Sequence, residues 1–214
     1  YCDNPESDVP SFVKMGASGN YGAGYLGPKY DPFVLDTNGR LPGFTNPSVK
    51  PEVQERRGEL LKFMEEQHAK EHQARPFASI REAELRTIRL MRARAVFDVN
   101  EEWDKARERY GDTHFGRGCF TAVKLAEAGV PFVEVGQWGY DGHNDNFSCH
   151  KSLLGILDPA WSSLLEDLQV RGLLQDTLVV WTSEFGRTPG INSQAGRDHY
   201  GRAWTTVMAG GGIR

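Results

Sequence analysis

The feature that most constrains this chain is a strand, a helix and a second strand in immediate succession. Residues 131–138 read as a strand, and a helical pattern of apolar residues covers 153–168. Asp158-Pro159 inside that pattern predicts a kink or a new helix start with Asp158 as N-cap. Residues 178–183 open with an apolar run, which is typical of a strand buried on both faces of a parallel sheet. This order predicts a βαβ unit whose two strands are parallel and adjacent.

Other segments surround this unit. Residues 1–48 are rich in Gly, Pro, Asn and Asp and predict ordered loops with short strands at 11–15 and 32–35. Apolar periodicity predicts further helices over residues 51–73, 79–95 and 113–128. Asp98 and Glu101 at capping-box spacing predict a short charged helix through residues 103–110.

Three polar clusters lie in the strand-helix-strand region or directly after it. Asp141 and His143 follow the first strand, Glu184 follows the second, and His199 lies in a later loop. Because sites in parallel sheets form at the carboxyl ends of the strands, we expect the first three side chains to share one edge. The loop that carries His199 can reach the same edge.

Two imidazoles and two carboxylates at one edge suit a divalent metal ion. Imidazole favours zinc, iron, nickel or copper, whereas carboxylates also suit manganese, calcium and magnesium. Asp141 and His143 can share one ion because alternate side chains of an extended segment point to the same face. Each residue by itself is more typical of a turn or a cap, so the metal prediction depends on the three clusters lying together.

Arg187 and Arg197 stand beside these carboxylates in the sequence. A guanidinium group matches phosphate or sulfate through paired hydrogen bonds, so either arginine could bind an anionic group of a substrate. A salt bridge to Asp141, Glu184 or Asp198 explains them equally well.

Two short motif matches are weaker. Residues 22–27 fit the dinucleotide-binding pattern GxGxxG, but Pro28 blocks the helix that this site needs, so a structured glycine loop is predicted. Residues 68–72 fit the zinc-protease pattern HxxEH, but the segment is highly charged and offers no evident third ligand. A solvated helix face is predicted there.

Composition excludes several classes of protein. The 25 basic and 29 acidic residues give a net charge of −4, which argues against a general nucleic-acid binder. The apolar runs are far shorter than the roughly 20 residues that span a bilayer. Three cysteines without a CxxC pair give neither a disulfide framework nor a cysteine metal site.

Several segments together resemble one known family. They are residues 24–28, 115–119, 126–133, 141–143, 173–180, 184–189, 196–199 and 209–213. They look like an uncharacterised bacterial sulfatase-like family, domain of unknown function 1501, and the likeness covers essentially the whole chain. That family is similar to the alkaline phosphatase superfamily.

The resemblance implies a fold, a chemistry and residue roles. The fold would be an α/β sandwich with a largely parallel central sheet flanked by helices. The chemistry would be hydrolysis or transfer of phosphate or sulfate esters with one or two divalent ions. Asp141, His143 and His199 would form one metal position and Glu184 would contribute to a second. Zinc is the expected metal, with manganese or calcium as alternatives.

The resemblance also bears on organisation and location. It implies that residues 1–214 are an internal part of one larger domain, with a loop-rich and helical region at 1–112 and the βαβ core at 113–214. The nucleophile is then expected upstream of the chain. An extracytoplasmic location, periplasmic or secreted, and a small anionic ester as substrate are also expected.

Three functions follow from these observations. The leading prediction is a metal-dependent hydrolase of sulfate or phosphate esters. Phosphatases of the superfamily usually carry Asp-His where this chain has Glu184-Phe185, and Phe185 cannot bind a metal. A non-catalytic, metal-holding binding or structural protein of the cell envelope is therefore the second prediction. A non-haem iron oxygenase, which also uses two histidines and a carboxylate, is the third, although the family likeness argues against it.

Overall fold

The computed structural model describes residues 9–16, 22–27, 30–36, 51–71 and 94–213. These residues form a mixed α/β fold with a parallel three-stranded sheet and four long helices. The α/β class predicted from the sequence is confirmed. The alkaline phosphatase-like arrangement of the sheet stays a prediction.

The three-stranded sheet joins the beginning of the chain to its middle. Its strands are β1 (Phe12–Met15), β2 (Phe33–Leu35) and β3 (Phe132–Val135), in the order β2-β1-β3 and all parallel. All three were predicted from the sequence. The carboxyl end of β3 is held in place because the Gly136 N–H donates to the Met15 carbonyl at 2.8 Å.

The described helices overlap the predicted ones, and the last of them begins seven residues before its predicted apolar pattern. They are α1 (Pro51–Glu71), α2 (Arg94–Phe97), α3 (Asn100–Tyr110), α4 (His114–Glu127) and α5 (Asn146–Val170), with a 3₁₀ turn at Gly24–Leu26. The turn lies in the glycine motif, in agreement with the predicted loop. Most of the helix predicted over 79–95, and His72 of the HxxEH match, lie outside the described residues. Within the described part of the chain, none of the helices has the length and apolarity to cross a membrane.

Helix α4 connects two hydrophobic cores. Cys119, Phe120 and Val123 pack into a cluster with α3 and α5, whereas Leu125 packs with β1, β2 and α2. Gly118 lets the helix lie against β3, because an added Cβ at this position would be 2.7 Å from the Val135 Cγ1. The helix therefore fixes β3, and the loop that follows β3, against the helical core.

Helix α5 runs without interruption through Pro159. The prediction of a new helix start at Asp158 is therefore wrong. Proline removes one backbone donor from the helix, but the residues on both sides of it remain on the packed face. Leu157, Ala160 and Leu164 are all buried, and this packing outweighs the lost hydrogen bond.

Strand β4 (Leu178–Thr182) pairs with β7 (Thr206–Gly210), and the pairing is antiparallel. The predicted parallel pairing with β3 is wrong, because among the described residues β4 forms a separate two-stranded sheet with β7, and β3 belongs to the other sheet. The predicted burial on both faces is wrong as well. Leu178 is 51% exposed and Val180 is 43% exposed.

Two short strands connect the loop after β4 to the third polar cluster. They are β5 (Gly186–Arg187) and β6 (His199–Tyr200), which pair antiparallel with Arg187 opposite His199. Directly opposite residues of an antiparallel pair share a face. Arg187 and His199 are therefore placed side by side by the backbone.

Candidate metal centre

Two loops carry the candidate site. The first loop, residues 136–145, joins β3 to α5 and holds Asp141 and His143; the second loop, residues 188–198, leads from β5 into His199. Backbone hydrogen bonds tie the loops together. The Asp145 N–H donates to the Gln194 carbonyl at 3.0 Å, and the Arg197 N–H donates to the Gly142 carbonyl at 3.0 Å.

The contact between the loops is close and conformationally costly. Asp145 (φ 40°) and Ala195 (φ 55°) are the non-glycine residues with positive φ in the described parts of the chain, and both lie at this contact. Next to them, an added Cβ on Gly196 would lie 1.8 Å from the His143 carbonyl oxygen. Such strain persists only where the surrounding structure enforces it, and it is concentrated at functional sites.

Two side chains of the first loop and the side chain of His199, directly after the second loop, converge on one point. The Nε2 atoms of His143 and His199 are 3.0 Å apart. The Oδ1 atom of Asp141 lies 3.0 Å from the His143 Nε2 and 3.1 Å from the His199 Nε2. These three atoms form a nearly equilateral triangle. Among the described residues, Asp141, His143 and His199 are the group whose donor atoms have the chemistry and spacing of a metal site.

The triangle fits a divalent metal ion. Two imidazoles and one carboxylate are a donor set that zinc and other divalent transition metals accept. Ligands at about 2.0–2.1 Å from zinc stand about 3 Å apart when the bond angles are somewhat above 90°. Three protein ligands also match the number found in catalytic zinc sites, which leave further positions open.

The Asp141 carboxylate is held in its charged form. The pKa of this carboxyl lies below its ordinary value, chiefly because His199 hydrogen-bonds to it, and next because Arg187 does the same. The Arg187 Nη1 atom is 2.6 Å from the Asp141 Oδ1. A carboxylate is the form that binds a metal, so this environment favours the role predicted for Asp141.

The remaining predicted site residues surround the triangle. Glu184 bonds to Arg187, with 3.1 Å between Oε1 and Nη2, so Arg187 links it to Asp141. Glu184 as a ligand of a second ion stays a prediction. Arg197 donates to the Thr188 carbonyl at 2.6 Å and to the Pro189 carbonyl at 2.9 Å, so its guanidinium shapes the second loop.

Two polar residues beside the triangle were not proposed as site residues from the sequence. Asn192 donates from its Nδ2 to the His143 carbonyl, and the Asp198 Oδ1 lies 3.5 Å from the His143 Nδ1. Asn and Asp are ordinary turn residues, so their types carry no signal of this role. Their place in the loop that leads into His199, with Asp198 directly before it, was the available hint.

The family model for "Protein of unknown function (DUF1501)" matches residues 2–214. The chain belongs to this family. Comparisons with curated proteins and with solved structures give no match. Membership of DUF1501 confirms the family resemblance seen in the sequence, and the wider likeness to sulfatases and alkaline phosphatases stays a prediction.

Proposed function

We propose that this member of DUF1501 is a metal-dependent hydrolase of sulfate or phosphate esters. The observation that carries the proposal is the triangle of Asp141, His143 and His199, whose ligand atoms are 3.0–3.1 Å apart. The donor set favours zinc, with manganese or calcium as alternatives. When bound, such an ion supplies positive charge to an anionic ester and activates a nucleophile.

Arg187 is the proposed binding group for the ester anion. Its side chain is only 14% exposed and lies next to the triangle, where Asp141 and Glu184 fix the direction of its guanidinium. Both Nη atoms face carboxylates, so a sulfate or phosphate would take its hydrogen bonds from the remaining N–H groups or replace one of these contacts. Arg187 therefore supports a tetrahedral anion as the substrate group beside the ion.

The rest of the proposal extends the resemblance. Glu184 contributes to a second ion position, and the protein acts in an extracytoplasmic compartment on a small ester. We assign no nucleophile among the described residues.

A second candidate function is a non-catalytic, metal-holding protein of the cell envelope with the same fold. The ring of Phe185 packs against the ring of His199 with centroids 4.6 Å apart. An aromatic ring therefore lies beside one ligand of the triangle, in the position where the resemblance leads us to expect a further metal-binding histidine. This contact favours a site that holds one ion without performing hydrolysis.

Metal analysis with matched variants tests the site. The full-length protein is expected to bind zinc, and Asp141→Asn and His199→Ala are expected to lose that binding. Asp104→Asn and His114→Ala replace exposed residues of the same types on α3 and α4, so they should bind zinc like the parent. Zinc binding that survives both site substitutions overturns the proposed metal centre.

An ester assay then separates the two candidate functions. Zinc-loaded parent protein is offered a panel of aryl sulfates and aryl phosphates. Turnover that disappears in Asp141→Asn and His199→Ala supports the hydrolase. Zinc binding without turnover of any ester supports the non-catalytic protein instead.

A further inference from the structure

The guanidinium of Arg187 lies between two carboxylates, one of which belongs to the triangle. Its Nη1 atom is 2.6 Å from the Asp141 Oδ1, and its Nη2 atom donates to the Glu184 Oε1 at 3.1 Å. The Asp141 Oδ1 is also the atom that faces the Nε2 atoms of His143 and His199. Arg187 therefore contacts the same oxygen that the triangle offers to an ion.

The two contacts of Arg187 differ in quality. The bond from Nη2 to Glu184 has ordinary hydrogen-bond geometry. Nη1 is buried and has no well-aligned acceptor among the described residues, although the Asp141 Oδ1 is close to it. A buried donor without a well-aligned acceptor costs free energy. An incoming anion therefore gains most by replacing Asp141 at Nη1, while Glu184 keeps hold of the guanidinium.

The exposure of the side chains agrees with this exchange. The side chain of Arg187 is only 14% exposed, whereas that of Asp141 is 63% exposed. Of the two partners, Asp141 has the greater freedom to turn away from Nη1. An oxygen of sulfate or phosphate can then take its place beside the guanidinium.

Arg187 and an ion in the triangle compete for one carboxylate oxygen. Two cations beside the same oxygen repel each other, and each reduces the negative charge that the other meets. A sulfate or phosphate at Nη1 draws the guanidinium away from the Asp141 Oδ1. An ordinary aspartate is ionised at neutral pH, so Asp141 stays a carboxylate after this contact has opened.

We propose that Arg187 couples the binding of an anion to the binding of the ion, because its guanidinium transfers from the Asp141 Oδ1 to sulfate or phosphate and releases the carboxylate to the ion. The inference rests on the proposed metal centre and deepens the role proposed there for Arg187. Coupling between two ligands is reciprocal, so the ion strengthens anion binding by the same factor.

Calorimetric titration of the full-length protein with zinc tests the coupling. The titration is run with sodium sulfate, and with sodium chloride at the same ionic strength. Sulfate is expected to raise the zinc affinity of the parent by about 5- to 150-fold, the usual range for coupled sites. In chloride, Arg187→Met is expected to bind zinc about fivefold or more tightly than the parent, and sulfate should add little to that affinity.

Two further variants support this comparison. Arg202→Met replaces an exposed arginine shortly after His199, so it should keep both the zinc affinity and the sulfate effect of the parent. Arg187→Lys keeps a positive charge but lacks the planar fork of donors, and it should show a smaller sulfate effect than the parent. Circular dichroism identifies any variant that has unfolded, and Arg187→Lys keeps the test available if Arg187→Met does not fold.

The outcomes distinguish this inference from the proposed function. Zinc binding that sulfate does not strengthen in the parent, or strengthens equally in Arg187→Met, overturns the coupling and leaves the metal centre in place. Weaker zinc binding by Arg187→Met in chloride also overturns it, because the guanidinium would then support Asp141 as a ligand instead of competing for it. A parent that binds no zinc in either salt overturns the metal centre and the coupling together.

Discussion

At the scale of single residues, Gly196 is where the two loops of the site come closest. A Cβ here meets only backbone, at 1.8 Å from the His143 oxygen and 2.6 Å from the Asn144 nitrogen, so no side-chain rotation can relieve the clash. We expect Gly196→Ala to separate the loops and to weaken zinc binding by about tenfold or more. Isothermal titration calorimetry with zinc measures this loss.

Gly190 provides the matched control for that substitution. It lies in the same loop, and a Cβ added to it meets nothing within 4 Å. Gly190→Ala should therefore bind zinc as the parent does, while circular dichroism shows folded helices in both variants. Equal zinc affinity in Gly196→Ala and Gly190→Ala would contradict the close contact between the loops.

The three residues of the triangle were easier to predict than the residues that contact them. Asp141, His143 and His199 belong to polar clusters at or after the strand-helix-strand region, and their prediction as a metal site came from those clusters lying together. Asn192 acts through contacts with His143 and Asp198 that are 49 and 6 residues away. Such contacts depend on where two loops meet, and a local pattern cannot contain that information.

At the scale of elements, the start of α4 is stabilised by a side-chain cap within its own sequence. Thr113 is the N-cap residue, and its Oγ1 accepts from the Gly116 N–H at 3.0 Å. Replacing such a cap by alanine costs about 1 kcal/mol of stability. We expect Thr113→Ala to lower the free energy of unfolding by about this amount in urea denaturation, and Thr113→Ser, which keeps the hydroxyl, to stay near the parent. Equal losses in the two variants would assign the effect to the methyl group of Thr113.

Elements were predictable from local pattern, but strand partners were not. Strand β4 was located correctly from its apolar run, and that run fits either a central parallel strand or a strand of an antiparallel pair. The choice depends on β7, which begins 24 residues after the end of β4 in the register Thr182↔Thr206. Likewise, Pro159 is a strong local signal for a helix end, and the buried Leu157 and Ala160 around it outweigh that signal.

At the scale of the whole molecule, two weakly acidic side chains, Cys119 and Tyr110, are buried in the helical core. Burial raises the pKa of the Cys119 thiol from 9.0 to about 12. Burial, together with the hydrogen bond to Asp167, raises the pKa of the Tyr110 hydroxyl well above its ordinary value of 10.0. Both groups must stay protonated in the folded protein, whereas the unfolded chain ionises them at their ordinary pKa values.

This difference predicts a loss of stability at alkaline pH. Above pH 9 the unfolded chain holds fewer protons than the folded one, so the free energy of unfolding falls as pH rises. One such group contributes a slope of at most about 1.4 kcal/mol per pH unit. Between pH 9 and 10 the slope comes mainly from Cys119, and Tyr110 adds to it above pH 10.

Urea denaturation at several pH values between 8 and 11 measures the slope, and two variants assign it. Cys119→Ala removes the thiol and should flatten the curve between pH 9 and 10, although a smaller side chain in a packed core lowers stability at every pH. Tyr110→Phe should flatten only the part above pH 10. A free energy of unfolding that stays constant from pH 8 to 11 in the parent would show that both groups ionise in the folded protein at their ordinary pKa values. That result would contradict the burial of Cys119 and Tyr110 among α3, α4 and α5.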